Sequence, residues 1–307
     1  MKVGAFLACD WGGTNLRAWV VGDTGEVLDR RDFPFGISRL QPGEAPERFD
    51  ADVRPALAAE DLPAILCGMV GSNLGWRAVP YLDCPVDLAT LGHSLCRVRD
   101  GATPVWIVPG LRGDGPTAAP DFMRGEETQI AGWLETQTPR GRRALCLPGT
   151  HAKWVVLDDA SLTRITTFMT GELYAVLSRH SVLRTEAPVD DEAAFDAGLA
   201  AAGDGGGLAA RLFSTRARVV AAVQPATPES SASYLSGLLI GAEVAAAPVL
   251  AGLDPDEPLA LLGDPRLCRW YARALSRTGR AFETFDGDRA VLAGLTALYR
   301  AGPGQQA

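Results

Sequence analysis

Apolar and polar positions follow the same order at two places in the chain. Apolar runs at residues 5–9 and 144–147 have the length and composition of buried strands. A Gly-Thr pair and two further strand-like runs follow each of them, and polar turns at residues 22–25 and 158–161 join those two runs. Each place therefore predicts a meander of three antiparallel strands.

The two meanders also match residue by residue. GTNLRAWVV, which begins at Gly13, aligns with GTHAKWVV, which begins at Gly149, with one residue deleted before the tryptophan. Beyond the deletion a constant offset pairs Gly36 with Gly171. Two unrelated hairpins could share a Gly-Thr pair by chance, but a matched register of this length favours an internal duplication.

Helices and strands alternate after each meander. The predicted helices lie at residues 45–60, from Glu126, at 172–183, at several places within 191–250, at 265–276 and from Asp288. The predicted strands lie at residues 64–70, 105–108, 259–262 and 281–285. We therefore expect an α/β fold of two βββαβα-type domains, residues 1–137 and 138–307, around a cleft, with the last helix packing back toward the first domain.

Composition supports a folded protein and excludes several classes. The 307 residues are 47% hydrophobic and 21% charged, which is typical of globular proteins. A net charge of −8 gives no basic surface for nucleic acid. The apolar stretch at residues 237–253 contains Glu243 and Pro248, so we interpret it as a buried helix and expect no membrane partner. A homodimer is left open.

The spacing of the cysteines indicates the cellular compartment, and the absence of common motifs excludes several kinds of catalytic site. The six cysteines are widely spaced without a CxxC pair, which favours reduced thiols and a cytoplasmic protein. The chain has no GxxxxGK[ST], HExxH or GxSxG motif, so P-loop, zincin and α/β-hydrolase sites have no support. Lysine occurs only at Lys2 and Lys153.

The first Gly-Thr loop suits a metal-bound polyphosphate. Asp10 ends a buried strand, and the glycines after it let backbone N–H groups approach phosphate oxygens. Asp10 would hold Mg²⁺, while the alternative is an ordinary turn in which this carboxylate bonds backbone amides. The predicted phosphate contacts of this loop are Gly12, Gly13, Thr14, Asn15 and Arg17.

The second Gly-Thr loop repeats the first without its aspartate. Gly149, Thr150 and His151 form the predicted cradle, and Lys153 stands where the first copy has Arg17. Two such loops across a cleft could hold a triphosphate, with Lys153 as a point charge beside it. The alternative for Lys153 is a solvated strand residue.

Two segments between the loops suggest a substrate site. GMVGSNLGWR ends in hydroxyl, amide, aromatic and cationic groups that suit a polyhydroxylated acid: Ser72, Asn73, Trp76 and Arg77. Trp76 could equally belong to the core.

The second segment, MRGEETQ, opens a predicted helix with two carboxylates. Phosphoryl transfer to an alcohol needs a carboxylate that accepts the hydroxyl proton, so Glu126 and Glu127 are candidate bases, although acidic residues are common in a first helical turn. Arg124 could bind a substrate carboxylate, as could Arg39 or Arg77, and Glu172 is a weaker substrate contact.

These motifs together resemble one known family. DWGGTNLR and LPGTHAKWV resemble the two phosphate motifs of the actin-like ATPase superfamily. GMVGSNLGW, MRGEETQ, TGELYAVLSRHS and YLSGLLIGAEV resemble the 2-dehydro-3-deoxygalactonokinases. The resemblance implies a duplicated ribonuclease-H-like fold and ATP- and Mg²⁺-dependent phosphorylation of 2-dehydro-3-deoxy-D-galactonate on its 6-hydroxyl.

The resemblance also implies individual roles. Gly237, Gly241 and Gly263 match the usual location of the adenosine site. Related sugar kinases place an aspartate at the catalytic position, where this chain has glutamates, and Glu126 is preferred because Gly125 precedes it. The alternatives are a kinase for another sugar or 2-keto-3-deoxy sugar acid, and a non-catalytic sugar-sensing module on the same fold.

Overall fold

The computed structural model describes residues 4–116, 118–137, 141–203, 207–223 and 226–303. The elements before residue 138 are β1 (Phe6–Trp11), β2 (Leu16–Val21), β3 (Val27–Phe33), α1 (Ala45–Arg48), α2 (Arg54–Ala56), β4 (Ala64–Cys67), β5 (Tyr81–Asp83), β6 (Val86–Asp87), β7 (Cys96–Arg99), β8 (Val105–Ile107), β9 (Gly110–Asp114), β10 (Pro120–Met123) and α3 (Glu126–Thr136). Those after residue 140 are β11 (Arg142–Leu147), β12 (Ala152–Asp158), β13 (Ser161–Phe168), α4 (Thr170–His180), α5 (Glu192–Ala202), α6 (Leu208–Leu212), α7 (Ser214–Val220), α8 (Ser231–Leu250), β14 (Leu259–Gly263), α9 (Pro265–Ser276), β15 (Phe282–Asp286) and α10 (Gly287–Ala301).

The two large sheets share the same five-strand topology, and each has a sixth strand added at a different edge. The first has the order β3-β2-β1-β4-β8-β7, and the second has β15-β14-β11-β12-β13-β6. In each, an antiparallel meander is extended by two strands parallel to its first strand, β4 and β8 in one and β14 and β15 in the other. The predicted α/β class and the duplication are confirmed.

Gly36 and Gly171, which match in the repeat, each pack against the backbone of the Gly-Thr loop in their own half. A Cβ on Gly36 would overlap the backbone of Gly13, and one on Gly171 would overlap the carbonyl of Gly149. Each Gly-Thr loop is therefore held by the backbone of a glycine that follows its own meander, and neither position has room for a side chain.

Several contacts tie the two halves together. α10 crosses α3 where Gly132 and Gly294 let the two backbones meet, and the ring of Tyr299 stacks on that of Phe6 at 4.1 Å. β6 pairs with the edge of β13 in the second sheet. The predicted division between residues 137 and 138 lies beside residues 138–140, which are outside the described residues, so it stays a prediction.

Some predicted boundaries were wrong. The helix expected at 45–60 ends at Ala56 and contains a wider π-helical turn, Phe49–Val53. The strand expected at 64–70 ends at Cys67, because Gly68 turns the chain with a φ of 87°. A third sheet, β10-β9-β5, was not predicted.

α8 is long and apolar enough, by length and composition alone, to cross a membrane. Just over half of its most apolar window is buried inside the protein, and core helices of soluble proteins share these properties. Its Glu243 is 2% exposed and accepts hydrogen bonds from Trp154 Nε1 and the Tyr271 hydroxyl, both at 2.8 Å. The buried carboxylate is thus fully engaged inside the second half.

Candidate active site

Asp10 lies at the carboxyl end of β1, where the neighbouring parallel strand β4 also ends. Its Oδ1 accepts a hydrogen bond from Cys67 Sγ at 3.7 Å, and its Oδ2 is paired with Arg17. The Arg17 guanidinium also pairs with Asp288, in the first turn of α10. Arg17, predicted to contact phosphate, is therefore held between two carboxylates here.

The α3 helix begins with the two candidate bases, in different surroundings. Glu127 is fully buried; its Oε2 accepts from the Gly125 N–H at 2.7 Å and its Oε1 from Thr128 Oγ1 at 3.0 Å. Burial, reinforced by the charge of Glu126, raises the pKa of Glu127 to about 7.

Glu126 is only half-buried, and its Oε2 accepts from the Arg124 N–H at 3.1 Å. The pKa of Glu126 is raised, chiefly by burial. The positive charge of Lys153 opposes this increase, and the negative charge of the Asp10 carboxylate adds to it. Both neighbours thus act on Glu126, which places the first turn of α3 within electrostatic range of both Gly-Thr loops.

Lys153 is buried without an ion-pair partner. It is 5% exposed, and its Nζ donates to Thr167 Oγ1 at 2.9 Å. No carboxylate oxygen in the described part of the chain lies within 4.0 Å of this nitrogen. The predicted alternative, a solvated strand lysine, is wrong. A buried ammonium group without a counterion is unfavourable unless an anion completes the site.

The second Gly-Thr loop adjoins a cavity of about 620 Å³. Gly149, Thr170 and Gly171 line its loop side, and residues of α4, α5, α8 and α9 line most of the rest. Its polar and aromatic lining includes Tyr174, Ser233, Ser236, Asp264, Trp270 and Tyr271. His151 and Glu172, both predicted ligand contacts, pair with each other beside this loop.

Two of the residues predicted to contact adenosine lie in a helix–helix contact instead of beside the cavity. A Cβ on Gly237 would overlap the carbonyl of Phe195, and one on Gly241 would lie 2.7 Å from Ala202 Cβ, so both glycines allow α8 to pack closely on α5. Neither lines the cavity, and the sequence assignment of these two residues is not supported. Gly263 lies directly before Asp264, which does line it.

The predicted sugar-acid residues divide between surface and core. Asn73 and Arg77 are exposed, and Ser72 is buried with its Oγ accepting from the Leu74 N–H at 3.3 Å. Trp76 packs edge-on against Phe49, with ring centroids 5.3 Å apart. The core interpretation of Trp76 fits this position better than a ligand-facing role.

Arg124 is held with one nitrogen unsatisfied. Its Nη2 donates to the Val79 carbonyl at 2.7 Å, and its guanidinium lies 4.2 Å from the centroid of the Tyr81 ring. Its Nη1 is buried and has no hydrogen-bond partner among the described residues. This arrangement leaves Arg124 able to receive a carboxylate.

Sequence reasoning missed three residues of the site: Asp121, Thr167 and Asp288. Asp121 accepts two hydrogen bonds from Thr167, and Asp288 pairs with Arg17. The contacts join segments distant in sequence, and the only signal beforehand was the position of Asp288 at the start of a predicted helix.

Comparisons with known proteins agree with the motifs. A family model described as 2-keto-3-deoxy-galactonokinase matches residues 10–298. The 2-dehydro-3-deoxygalactonokinase of Escherichia coli K12 is 35% identical over 305 residues, covering 96% of this chain and 98% of the relative. The crystal structure of a Sinorhizobium meliloti protein assigned to the same activity has a TM-score of 0.85 at 34% identity, covering 96% of this chain and 98% of that one.

A more distant structure shares the fold alone. The activator of 2-hydroxyisocaproyl-CoA dehydratase from Clostridium difficile has a TM-score of 0.54 at 12% identity, covering 98% of this chain and 97% of that one. The predicted actin-like ATPase fold is confirmed. With a family model matching nearly the whole length and a full-length relative above 30% identity, the chain belongs to the 2-keto-3-deoxy-galactonokinase family and is a sugar-acid kinase.

Proposed function

We propose that this protein transfers the γ-phosphoryl group of ATP to the 6-hydroxyl of 2-dehydro-3-deoxy-D-galactonate. The observation that carries the proposal is a half-buried Glu126 within electrostatic range of Lys153, a buried cation without a direct ion pair, between the two Gly-Thr loops. A carboxylate that can accept a hydroxyl proton beside a cation that lacks an anion is the arrangement phosphoryl transfer requires.

ATP would lie across the second Gly-Thr loop. The 620 Å³ cavity has the size and mixed lining of a nucleoside site, and it opens beside Gly149. The triphosphate would then extend toward Lys153 and the first loop. The cofactor contacts we propose are therefore the two Gly-Thr loops, Lys153 and the cavity-lining ends of α8 and α9.

Asp10 fits a magnesium ion that arrives with the phosphates. No group of three or more His, Cys, Asp or Glu side chains suited to a metal occurs in the described ranges, and Mg²⁺ commonly uses one or two carboxylates plus substrate phosphates. Bound there, Mg²⁺ would neutralise phosphate charge.

Protein side chains would accept the proton and bind the sugar acid. Glu126 takes the proton of the attacking hydroxyl, since both oxygens of Glu127 are occupied inside the protein. Arg124, with its unsatisfied Nη1, receives the carboxylate of the sugar acid, and Ser72 and Asn73 lie in the adjoining loop. All six cysteines are free thiols, which fits the cytoplasmic location that we also propose.

A coupled ADP-release assay over 2-keto-3-deoxy sugar acids and their parent sugars tests the activity. We expect the highest kcat/KM with 2-dehydro-3-deoxy-D-galactonate, and a product whose phosphorus couples to the two C6 protons in NMR. If none of these acceptors increases the rate of ADP release above the rate without acceptor, the proposal is refuted. Lys153→Ala should raise the KM for ATP.

A further inference from the structure

Three polar side chains form a one-directional chain of hydrogen bonds. Lys153 Nζ donates to Thr167 Oγ1 at 2.9 Å, and Thr167 Oγ1 donates to Asp121 Oδ1 at 2.5 Å. The Thr167 backbone N–H donates to the other oxygen, Asp121 Oδ2, at 2.7 Å. An ionised carboxylate only accepts, so the hydroxyl hydrogen is committed to Asp121 and a lone pair of the same oxygen is left for the ammonium group.

The chain explains how Lys153 tolerates burial. Asp121 supplies a compensating negative charge, but one hydroxyl group removed from the ammonium group. A direct ion pair would stabilise the charge more strongly and would also occupy it. Because Thr167 takes one of three N–H donors, two remain for another acceptor.

The chain also joins the two halves at the catalytic position. Asp121 lies on β10, which leads directly into the segment carrying Arg124 and Glu126. Thr167 and Lys153 are direct partners in the β12–β13 ladder of the second sheet. The same carboxylate therefore connects the strand that precedes Arg124 and Glu126 to the strand pair that carries the cation.

We propose that Asp121, acting through Thr167, is a positioning residue that holds the Lys153 ammonium group ready to bind an anionic oxygen of a reactant. The proposal rests on the phosphoryl transfer proposed above. The proposed function makes this the γ-phosphate of ATP; the carboxylate of the sugar acid has the same chemistry, and the experiment below distinguishes the two.

Substitutions at neighbouring threonines provide a matched test. Thr167→Val removes the hydroxyl at nearly constant volume, and Asp121→Asn places an amide donor where an acceptor is needed. Thr166→Val is the control, because Thr166 is 1% exposed on the same strand and its hydroxyl has no hydrogen-bond partner in the described structure. Calorimetry would give the Kd for Mg²⁺ with the non-hydrolysable analogue AMP-PNP and with ADP, and steady-state kinetics the KM for the sugar acid.

Both Thr167→Val and Asp121→Asn should weaken binding of one anionic reactant about tenfold, the effect of losing one hydrogen bond to a charged group. Thr167→Ser, which keeps the hydroxyl, should recover most of the affinity, and Thr166→Val should bind like the wild type. Weaker AMP-PNP binding with unchanged ADP binding identifies the γ-phosphate as the partner. A raised KM for the sugar acid with unchanged nucleotide binding identifies the carboxylate.

The proposal is overturned if Thr167→Val and Asp121→Asn bind both reactants like the wild type while Lys153→Ala does not. Should Thr167→Val fail to fold, Asp121→Asn and Thr167→Ser carry the same comparison. Failure of the proposed function looks different: the wild type would bind AMP-PNP yet release no ADP with any sugar acid, and the nucleotide data would still decide the role of Asp121.

Discussion

Two adjacent glutamates in the first turn of α3 show how burial separates residues of the same type. Glu127 is enclosed, with both oxygens accepting hydrogen bonds, whereas Glu126 is half-buried and within the fields of Asp10 and Lys153. Only Glu126 combines access with a cation nearby. We therefore expect Glu126 to act in catalysis and Glu127 to act in the pH dependence of stability.

The Glu127 carboxyl should make the protein less stable as pH rises from about 4.5 to about 7. Its pKa is raised from 4.5 to about 7, so in this window the unfolded chain releases a proton that the folded protein retains. Glu127→Gln should remove this loss, on the order of a few kcal/mol, and give a melting temperature that depends less on pH.

Thermal unfolding at pH 5, 6, 7 and 8 measures the effect, with Glu135→Gln on the exposed side of the same helix as the control. The assignment fails if the difference in Tm between Glu127→Gln and the wild type is the same at pH 5 and pH 8.

The sequence predicts individual site residues where chemistry and chain position coincide. Asp10 at a strand end, Glu126 at a helix start and Lys153 in a repeated loop could be selected by type and spacing. Asp121 and Thr167 could not, because 46 positions separate them and their contact depends on the packing of β10 against β13. Gly237, predicted to contact adenosine, packs against α5 in the structure, because a glycine that contacts a ligand and one that allows close helix packing look alike in sequence.

At the scale of elements, close crossings of helices at glycine position the site. α10 approaches α3 so closely at Gly132 that a Cβ there would overlap the carbonyl of Ala290. The crossing fixes the helix that carries Glu126 and, through the first turn of α10, places Asp288 beside Arg17. Helix packing thus connects the candidate base Glu126 to the first Gly-Thr loop.

Gly132→Ala should destabilise the protein by about 1–3 kcal/mol or more, because neither backbone can move without the other. A denaturant titration compares it with Gly113→Ala, whose Cβ would meet its neighbours at an ordinary 3.6 Å. Equal unfolding midpoints for the two variants would show that the crossing is not tight.

Element type was largely predictable, and element ends were less so. The alternation of strands and helices followed from hydrophobic periodicity, and α9 was placed at residues 265–276 as observed. The small sheet escaped prediction because β5, β9 and β10 are short and largely exposed, so little apolar alternation marks them. The early end of β4 depends on the left-handed conformation of Gly68, which the sequence alone does not report.

For the whole molecule, α10 packs the two halves together, and we expect them to unfold as one cooperative unit. It follows the last strand of the second sheet, yet Tyr299 near its end stacks on Phe6 of β1 and meets Trp106 edge-on at 6.1 Å. The duplication was visible in the sequence. The packing of the last helix against the first half was only an expectation, because the match between the two repeats ends before that helix. The contact predicts that damage to α10 reaches the first sheet.

Tyr299→Ala should cost about 3–5 kcal/mol and should speed hydrogen exchange in β1 and β4 as well as in α10. Phe213→Ala, at a ring that is 60% exposed, is the matched control. Hydrogen exchange that accelerates only within α10 would contradict a shared cooperative unit.

The rate of phosphoryl transfer by Glu126→Gln is the most direct test of the whole account. With saturating ATP and 2-dehydro-3-deoxy-D-galactonate, this variant should lose at least about a hundredfold in kcat, the typical contribution of a general base, with a smaller change in KM. Glu135→Gln should match the wild type. A Glu126→Gln enzyme with a kcat within a few-fold of the wild type would contradict the central claim that this carboxylate, between the two Gly-Thr loops, accepts the proton.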